Sequence, residues 1–89
     1  MAARHRRGGG LGLKVADAKD GPGVYVGGVR ADSPGERAGL QVGDTIVELS
    51  GRPVISVQDL EQIAAKRPAG QPTSVTIIRD GERQTVILR

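Results

Sequence analysis

Aromatic side chains are almost absent from this chain, and this absence restricts what its core can be. The chain has no Phe and no Trp, and its one Tyr is Tyr25. The core must therefore be built from Val, Ile and Leu, which are concentrated after residue 10. Branched aliphatic side chains favour strands. Because 89 residues support one small hydrophobic core and not two, we expect a single domain rich in sheet.

The positive charge of the chain lies at its N-terminal end. Of thirteen Lys and Arg residues, Arg4, Arg6 and Arg7 precede residue 11, and the remaining ten are balanced by ten Asp and Glu. A neutral body without stacking aromatics does not fit a nucleic-acid binder. No apolar run approaches the roughly 20 residues of a transmembrane helix or follows the N-terminus as a signal peptide would. We therefore expect no nucleic-acid partner and no direct membrane insertion.

Short alternating runs, separated by glycine-containing turns, predict five or six strands. The sequence LGLKVADA alternates Leu11, Leu13 and Val15 with small or charged residues. VYVGGV, residues 24–29, predicts a second strand whose paired glycines indicate a bulge or a close backbone approach. Further strands are predicted over residues 45–49, briefly at 54–55, and on both sides of the hairpin turn DG at 80–81.

Two helices are predicted from their end signals. Ser33 is a suitable N-cap for a helix of barely two turns that stops at Gly39. Ser56 caps a longer helix, from Val57 to about Arg67 and ended by Pro68, with apolar residues at the spacing of one buried stripe. The pattern as a whole predicts a small α+β domain or a partly open barrel.

The sequence does not match the motifs of common catalytic and ligand-binding sites. The glycine-rich opening is followed by Leu13, Lys14 and Val15, which fits neither a phosphate loop ending in Gly-Lys-Ser/Thr nor the dinucleotide pattern. The single histidine, His5, lies in the N-terminal arm, where no fixed nucleophile and base geometry is expected. Cysteine is absent, which excludes a disulfide or a thiolate metal site, and the carboxylates lack the spacing of a calcium loop. We expect no catalytic residue, no metal site and no cofactor.

An ordered set of motifs resembles a PDZ domain of the bacterial kind. The set is GLGL at 10–13, GVYVGGV at 23–29, DSPGERAGLQVGDTIVELSGRPV at 32–54, SVQDLEQI at 56–63 and VTIIRDGERQTVIL at 75–88. Among such domains it most resembles the second, C-terminal PDZ of HtrA/Deg-type serine proteases. The resemblance implies a five- to six-stranded partly open β-barrel or sandwich capped by two helices, with the circularly permuted bacterial strand order. We expect residues 10–89 to form the domain and residues 1–9 a flexible basic and Gly-rich arm.

The resemblance also implies a site for the C-terminus of a peptide, which would add as a strand to the edge of the sheet. The carboxylate would be bound by the N–H groups of Leu11, Gly12 and Leu13, with Arg7 the nearest basic side chain upstream. Gly12 is suited to this place because it permits a turn that a Cβ would hinder. The groove would be lined by Leu13, Lys14, Val15 and Ala16 on the strand and by Val57, Leu60 and Ala64 on the helix.

The implied function is that of a non-catalytic module that recognises C-terminal or unfolded segments with apolar termini for an HtrA-like protease. Its other partner would be the protease domain of the parent chain, and its compartment periplasmic or otherwise extracytoplasmic. Two alternatives stay open: a PDZ domain of a carboxyl-terminal processing or site-2 protease, and a scaffolding PDZ domain with an unused groove. For each groove residue a plain core role is the competing interpretation, and for Ile46 and Ile63 it is the better one.

Overall fold

One antiparallel sheet, with two helices, forms the fold in the computed structural model, which describes residues 6–7, 10–68 and 71–89. The strand order is β1-β2-β3-β4-β6-β7, with β5 paired to β4, and β1 and β7 end the order, so the sheet is open. The elements are β1 Arg6–Arg7, β2 Leu13–Asp17, β3 Val24–Val29, α1 Pro34–Ala38, β4 Thr45–Leu49, β5 Arg52–Pro53, α2 Val57–Ala65, β6 Thr73–Arg79 and β7 Glu82–Leu88. Five main strands, two short ones and two helices confirm the predicted fold class.

Both helices begin at the predicted caps. The Ser33 hydroxyl accepts from the Glu36 N–H at 3.1 Å, and the Glu36 carboxylate accepts from the Asp32 N–H at 2.8 Å. Ser56 accepts from the Asp59 N–H in the same way at the start of α2. These bonds satisfy N–H groups that have no partner inside a helix, so the local sequence sets where each helix starts.

The end of α2 comes earlier than the sequence predicts. The helix stops at Ala65 with Lys66 as its C-cap, so neither Lys66 nor Arg67 belongs to its last turn. The N–H groups of both residues donate to carbonyls three positions back, which tightens the chain out of the α-helical pattern. Pro68 supplies the physical reason, because a proline disfavours the α conformation of the residue before it.

The turns and the bulge that the glycines predict are present. Asp80 and Gly81 both have positive φ, 53° and 80°, as a two-residue hairpin turn between β6 and β7 requires. In the β2–β3 pair, Lys14 faces Gly28 and Val15 faces Val26, so the residue between them on β3 is unpaired. The bulged strand is therefore β3, and a bulge of this kind bends the strand that carries it.

Apolar side chains from β2, β3, β4, α2, β6 and β7 form one buried cluster. Asp44, 1% exposed, lies at its edge and accepts from Arg79 Nε and Nη2 at 2.8 Å and from the Gln41 N–H at 2.9 Å. Burial raises the pKa of Asp44, but the hydrogen bonds from Arg79 and Gln41 outweigh it and leave this pKa below its usual value. Arg79 also donates to the Gly39 carbonyl, so one guanidinium connects β6 to the end of α1.

A short strand lies inside the segment predicted to be a flexible arm. Arg6 and Arg7 form β1 and pair antiparallel with β2, Arg6 opposite Val15 and Arg7 opposite Lys14. Two residues carry no periodicity that a sequence pattern could reveal. The edge of β2 that does not pair with β3 nevertheless offers backbone groups to whatever segment lies beside it. His5 lies outside the described residues.

Candidate functional site

The strand and the helix that should form the two walls of a groove lie beside each other. α2 contacts β2, and a hydrogen bond joins their ends: the Val57 N–H donates to Asp17 Oδ1 at 2.7 Å. Asp17 is the last residue of β2 and Val57 the first of α2. The carboxylate thus satisfies an N–H at the helix N-terminus and fixes the spacing of the walls at the end away from the GLGL loop.

At the other end, the loop of residues 10–13 is fixed through its carbonyl groups. The Leu11 carbonyl accepts from the Gly35 N–H at 2.9 Å, and the Gly12 carbonyl accepts from the Arg30 N–H at 2.7 Å. In a trans peptide the N–H points opposite to the C=O of the same unit. The N–H groups of Gly12 and Leu13 therefore point away from α1 and from the end of β3. The Leu13 N–H is thus directed to the outer side of β2, and the neighbouring Gly12 N–H is directed away from α1.

Gly12 is required by its backbone conformation and by its surroundings. Its φ is 80°, in the left-handed region that side chains disfavour. A Cβ at this position would overlap the side chain of Ser33, the cap of α1. Gly35 is similarly restricted, since a Cβ there would lie 2.9 Å from the Leu11 carbonyl oxygen and 2.7 Å from Leu13 Cδ2. The loop can approach α1 this closely because both contacts are made at glycines.

Most of the predicted groove side chains are buried. Their exposed fractions lie between 0 and 7%, and all belong to the core cluster: Leu11, Leu13, Val15, Val57, Leu60 and Ala64. The structure brings them together, which any shared core would also do. Lys14 is exposed, and Gly12 and Ala16 are half-buried. Ile46 is fully buried, and Ile63 packs against the core, as their core interpretation predicts.

Leu13 illustrates how core and groove roles overlap. Its side chain lies against α1 at Gly35, so it packs between the sheet and this helix. Its backbone N–H, by contrast, points to the outer side of β2. A residue of this kind serves the core through its side chain and can serve a ligand through its main chain. Arg7 contributes a backbone pair with Lys14, and the position of its side chain lies outside what the structure describes.

Two residues that shape this site carry no motif signal. Asp17 acts across forty positions on α2, and Gly35 admits the loop of residues 10–13 against α1. In the sequence, Asp17 looks like one more charged residue before a turn, and Gly35 looks like ordinary helix sequence. The contacts that define their roles are made only when distant parts of the chain meet.

Other chemistries find little support in the described ranges. Residues 6–7, 10–68 and 71–89 contain no group of three or more His, Asp or Glu side chains arranged to hold a metal ion. None of the helices described in those ranges is long and apolar enough to cross a bilayer. What the site offers is main-chain donors, an edge of sheet and an apolar wall.

Comparison with known proteins identifies relatives of the whole domain. A family model described as PDZ domain matches residues 9–89. A probable periplasmic DegP-like serine endoprotease from Pseudomonas fluorescens is 38% identical over 66 residues, which cover 74% of this chain and 14% of that protein. The Do-like serine protease HtrB from Bacillus subtilis is 42% identical over 67 residues, covering 74% and 15%. The chain thus spans about a seventh of the length of these curated relatives.

Solved structures agree with the family match. The HtrA-type protease AlgW, solved with a decapeptide, superposes with a TM-score of 0.75 at 27% identity over 86% of this chain and 27% of that one. The HtrA3 PDZ domain, solved with the phage-derived ligand FGRWV, gives 0.78 at 23% identity over 88% and 80%, and shows the likeness of fold. The order of strands and helices, the glycine loop against α1 and the match over residues 9–89 show that this chain belongs to the PDZ domain family, with HtrA-type serine proteases as relatives.

Proposed function

We propose that this domain binds the C-terminus of a peptide along the outer edge of β2 and next to α2. The observation that carries the proposal is a pair of successive N–H groups: the bonded Gly12 carbonyl turns the Leu13 N–H toward that edge, and the bonded Leu11 carbonyl turns the Gly12 N–H away from α1. Backbone donors directed to one place suit a carboxylate, and hydrogen bonds to a charged acceptor are the stronger kind.

Strand addition supplies the rest of the binding energy in this proposal. Val15 presents its main-chain groups on the side of β2 that is not paired with β3, and an extended peptide satisfies them. Such bonds form with a peptide of any sequence, so selection among peptides depends on the apolar wall, the side chains of Val57, Leu60 and Ala64 on α2. The helix begins with Val57 and not with a histidine, which favours an apolar residue two places before the ligand's end over Ser or Thr.

The role that we propose for the domain is supported by the greater length of its relatives. Because the chain spans about a seventh of the HtrA-type proteases it matches, we propose that it is a non-catalytic module of such a protease. It would present C-terminal or unfolded segments with apolar ends to a protease domain in the parent chain. Relatives named periplasmic support an extracytoplasmic location. Carboxyl-terminal processing and site-2 proteases remain the alternative parents.

A scaffolding domain with an unused groove is the second candidate, and one observation favours it. The apolar side chains expected to line the groove are no more than 7% exposed. Side chains this well packed leave little surface for a ligand, unless α2 and β2 separate slightly when a peptide enters. The two candidates differ in whether a peptide perturbs these residues at all.

Titration with a peptide as a free acid and as its C-terminal amide tests the proposal. FGRWV is a suitable probe because it ends in an apolar residue. We expect the acid to bind at least about tenfold more tightly, because amidation removes charge-assisted hydrogen bonds worth about 1.5–3 kcal/mol each. Chemical shift changes confined to residues 10–16 and 57–64 should accompany binding.

The controls separate the two candidates. Equal affinity of acid and amide would contradict the carboxylate loop, and the absence of binding by either would favour the scaffolding domain. Replacing the central Arg of FGRWV with Val tests the preference two places before the ligand's last residue. We expect the Val peptide to bind more tightly if the apolar wall selects that side chain.

A further inference from the structure

The outer edge of β2 is already paired in this structure. Arg6 and Arg7 lie antiparallel to it, opposite Val15 and Lys14. β3 pairs with the other edge along Leu13–Asp17. A strand has two edges for backbone pairing, so β1 takes the edge that an incoming peptide would need.

The alternation of backbone groups along β2 supports the same placement. The Ala18 N–H donates to the Gly23 carbonyl, on the β3 side. Successive residues of a strand point their backbone groups to opposite edges, so Val15, three positions earlier, faces outward. Val15 is the residue opposite Arg6. The outward groups of Val15 are therefore available to β1 or to a ligand, but not to both.

β1 also has the direction expected of a ligand. β2 runs away from the loop of residues 10–13, and Arg7, the later residue of β1, lies opposite Lys14, nearer that loop. A peptide whose terminal carboxylate enters the loop has the same polarity. The two strands would thus overlap residue for residue along the same stretch of edge.

We propose that residues 6–7 are an internal competitor for the peptide edge, which an incoming peptide displaces. The inference rests on the proposed function and adds its regulation. The tether is short, since residues 8–13 alone separate Arg7 from Lys14, and a short tether gives a high effective concentration at the edge. The competitor is also only two residues long, so its hold is weak and reversible. It lowers the apparent affinity for a peptide by the fraction of time that it covers the edge.

Proline at both positions of β1 removes the pairing without touching the core. Proline has no N–H, and its φ does not suit a paired strand. In the full chain, we expect the double substitution Arg6→Pro and Arg7→Pro to tighten binding of FGRWV about three- to tenfold. The amide of Val15 should exchange with solvent faster in this variant before any peptide is added. The matched control, Arg6→Ala with Arg7→Ala, removes the same charges and keeps both N–H groups, so the proline variant should bind FGRWV about three- to tenfold more tightly than this control.

The outcomes distinguish competition from other causes. Equal FGRWV affinity of the original chain and the proline variant would overturn the competition while leaving the proposed function standing. An alanine variant that binds as tightly as the proline variant would also overturn it, because charge and not pairing would then be the cause. If FGRWV bound neither the original nor the proline variant, the proposed function would fail, and the competition with it.

Discussion

At the scale of single residues, Gly12 controls the shape of the loop. Its positive φ and its contact with Ser33 are separate restrictions, one on backbone conformation and one on space. Gly10 shares the first restriction, with φ 83°, but a Cβ there would meet no atom within 4 Å. The two glycines therefore form a pair in which conformational strain and steric overlap can be measured apart.

We expect Gly12→Ala to lower the free energy of unfolding by about 2–4 kcal/mol, the sum of left-handed strain and overpacking against Ser33. Gly10→Ala should cost only about 1–2 kcal/mol, from strain alone. Urea unfolding of both variants measures the difference. Equal losses would show that the loop moves away from Ser33 without cost, and would remove steric contact with α1 as the reason for glycine at position 12.

At the scale of secondary structure, residues close together in the sequence set where helices begin and where the hairpin turns. Contacts between distant residues set the spacing of β2 and α2. The caps at Ser33 and Ser56 and the turn at Asp80–Gly81 were predictable because each depends on residues within about four positions. The bond from the Val57 N–H to Asp17 was not predictable in this way, since forty positions separate the two residues. It is this bond that joins the proposed walls of the groove.

We expect Asp17→Ala to destabilise the domain by about 0.5–2 kcal/mol, the usual cost of losing a side-chain acceptor at a helix N-terminus. It should also weaken FGRWV binding several-fold, because α2 is no longer fixed to the end of β2. Urea unfolding and peptide titration measure the two effects.

Asp20→Ala is the control for this variant. Asp20 is an exposed carboxylate that makes no hydrogen bond or ion pair within residues 6–7, 10–68 and 71–89. We expect its removal to leave stability and affinity nearly unchanged. If the two variants behaved alike, the charge near this turn, and not the bond to α2, would be responsible.

At the scale of the whole molecule, the pair Asp44–Arg79 joins segments that are distant in the chain. It connects the residue before β4 to the end of β6, and through the Gly39 carbonyl to the end of α1. The pKa of Asp44 is lowered in the folded state. The stabilisation from its charged form is therefore fully present above the unfolded pKa of about 3.9, and is lost as the pH falls through the folded value.

We expect Asp44→Asn to unfold more easily at pH 7 and to lose less further stability than the original chain on acidification from pH 6 to pH 2. The asparagine cannot be protonated, so this part of the acid dependence disappears. Urea unfolding across that range measures it, with Asp20→Asn as the control. A variant whose stability fell with pH as steeply as that of the original chain would contradict this role for the Asp44–Arg79 pair.

The sequence by itself determined the fold class, the starts of α1 and α2, the hairpin turn and the family, because periodicity, caps, turn residues and the ordered motifs are local properties of the chain. The tertiary structure decided what the groove residues touch. It buried the apolar side chains predicted to line the site, turned the Leu13 N–H to the outer side of β2, and placed Arg6–Arg7 on that edge. The physical reason is that burial and backbone pairing depend on which distant segments meet. β1 pairs with β2 through backbone hydrogen-bonding groups on the edge of that strand, and no side-chain pattern in the sequence signals this pairing.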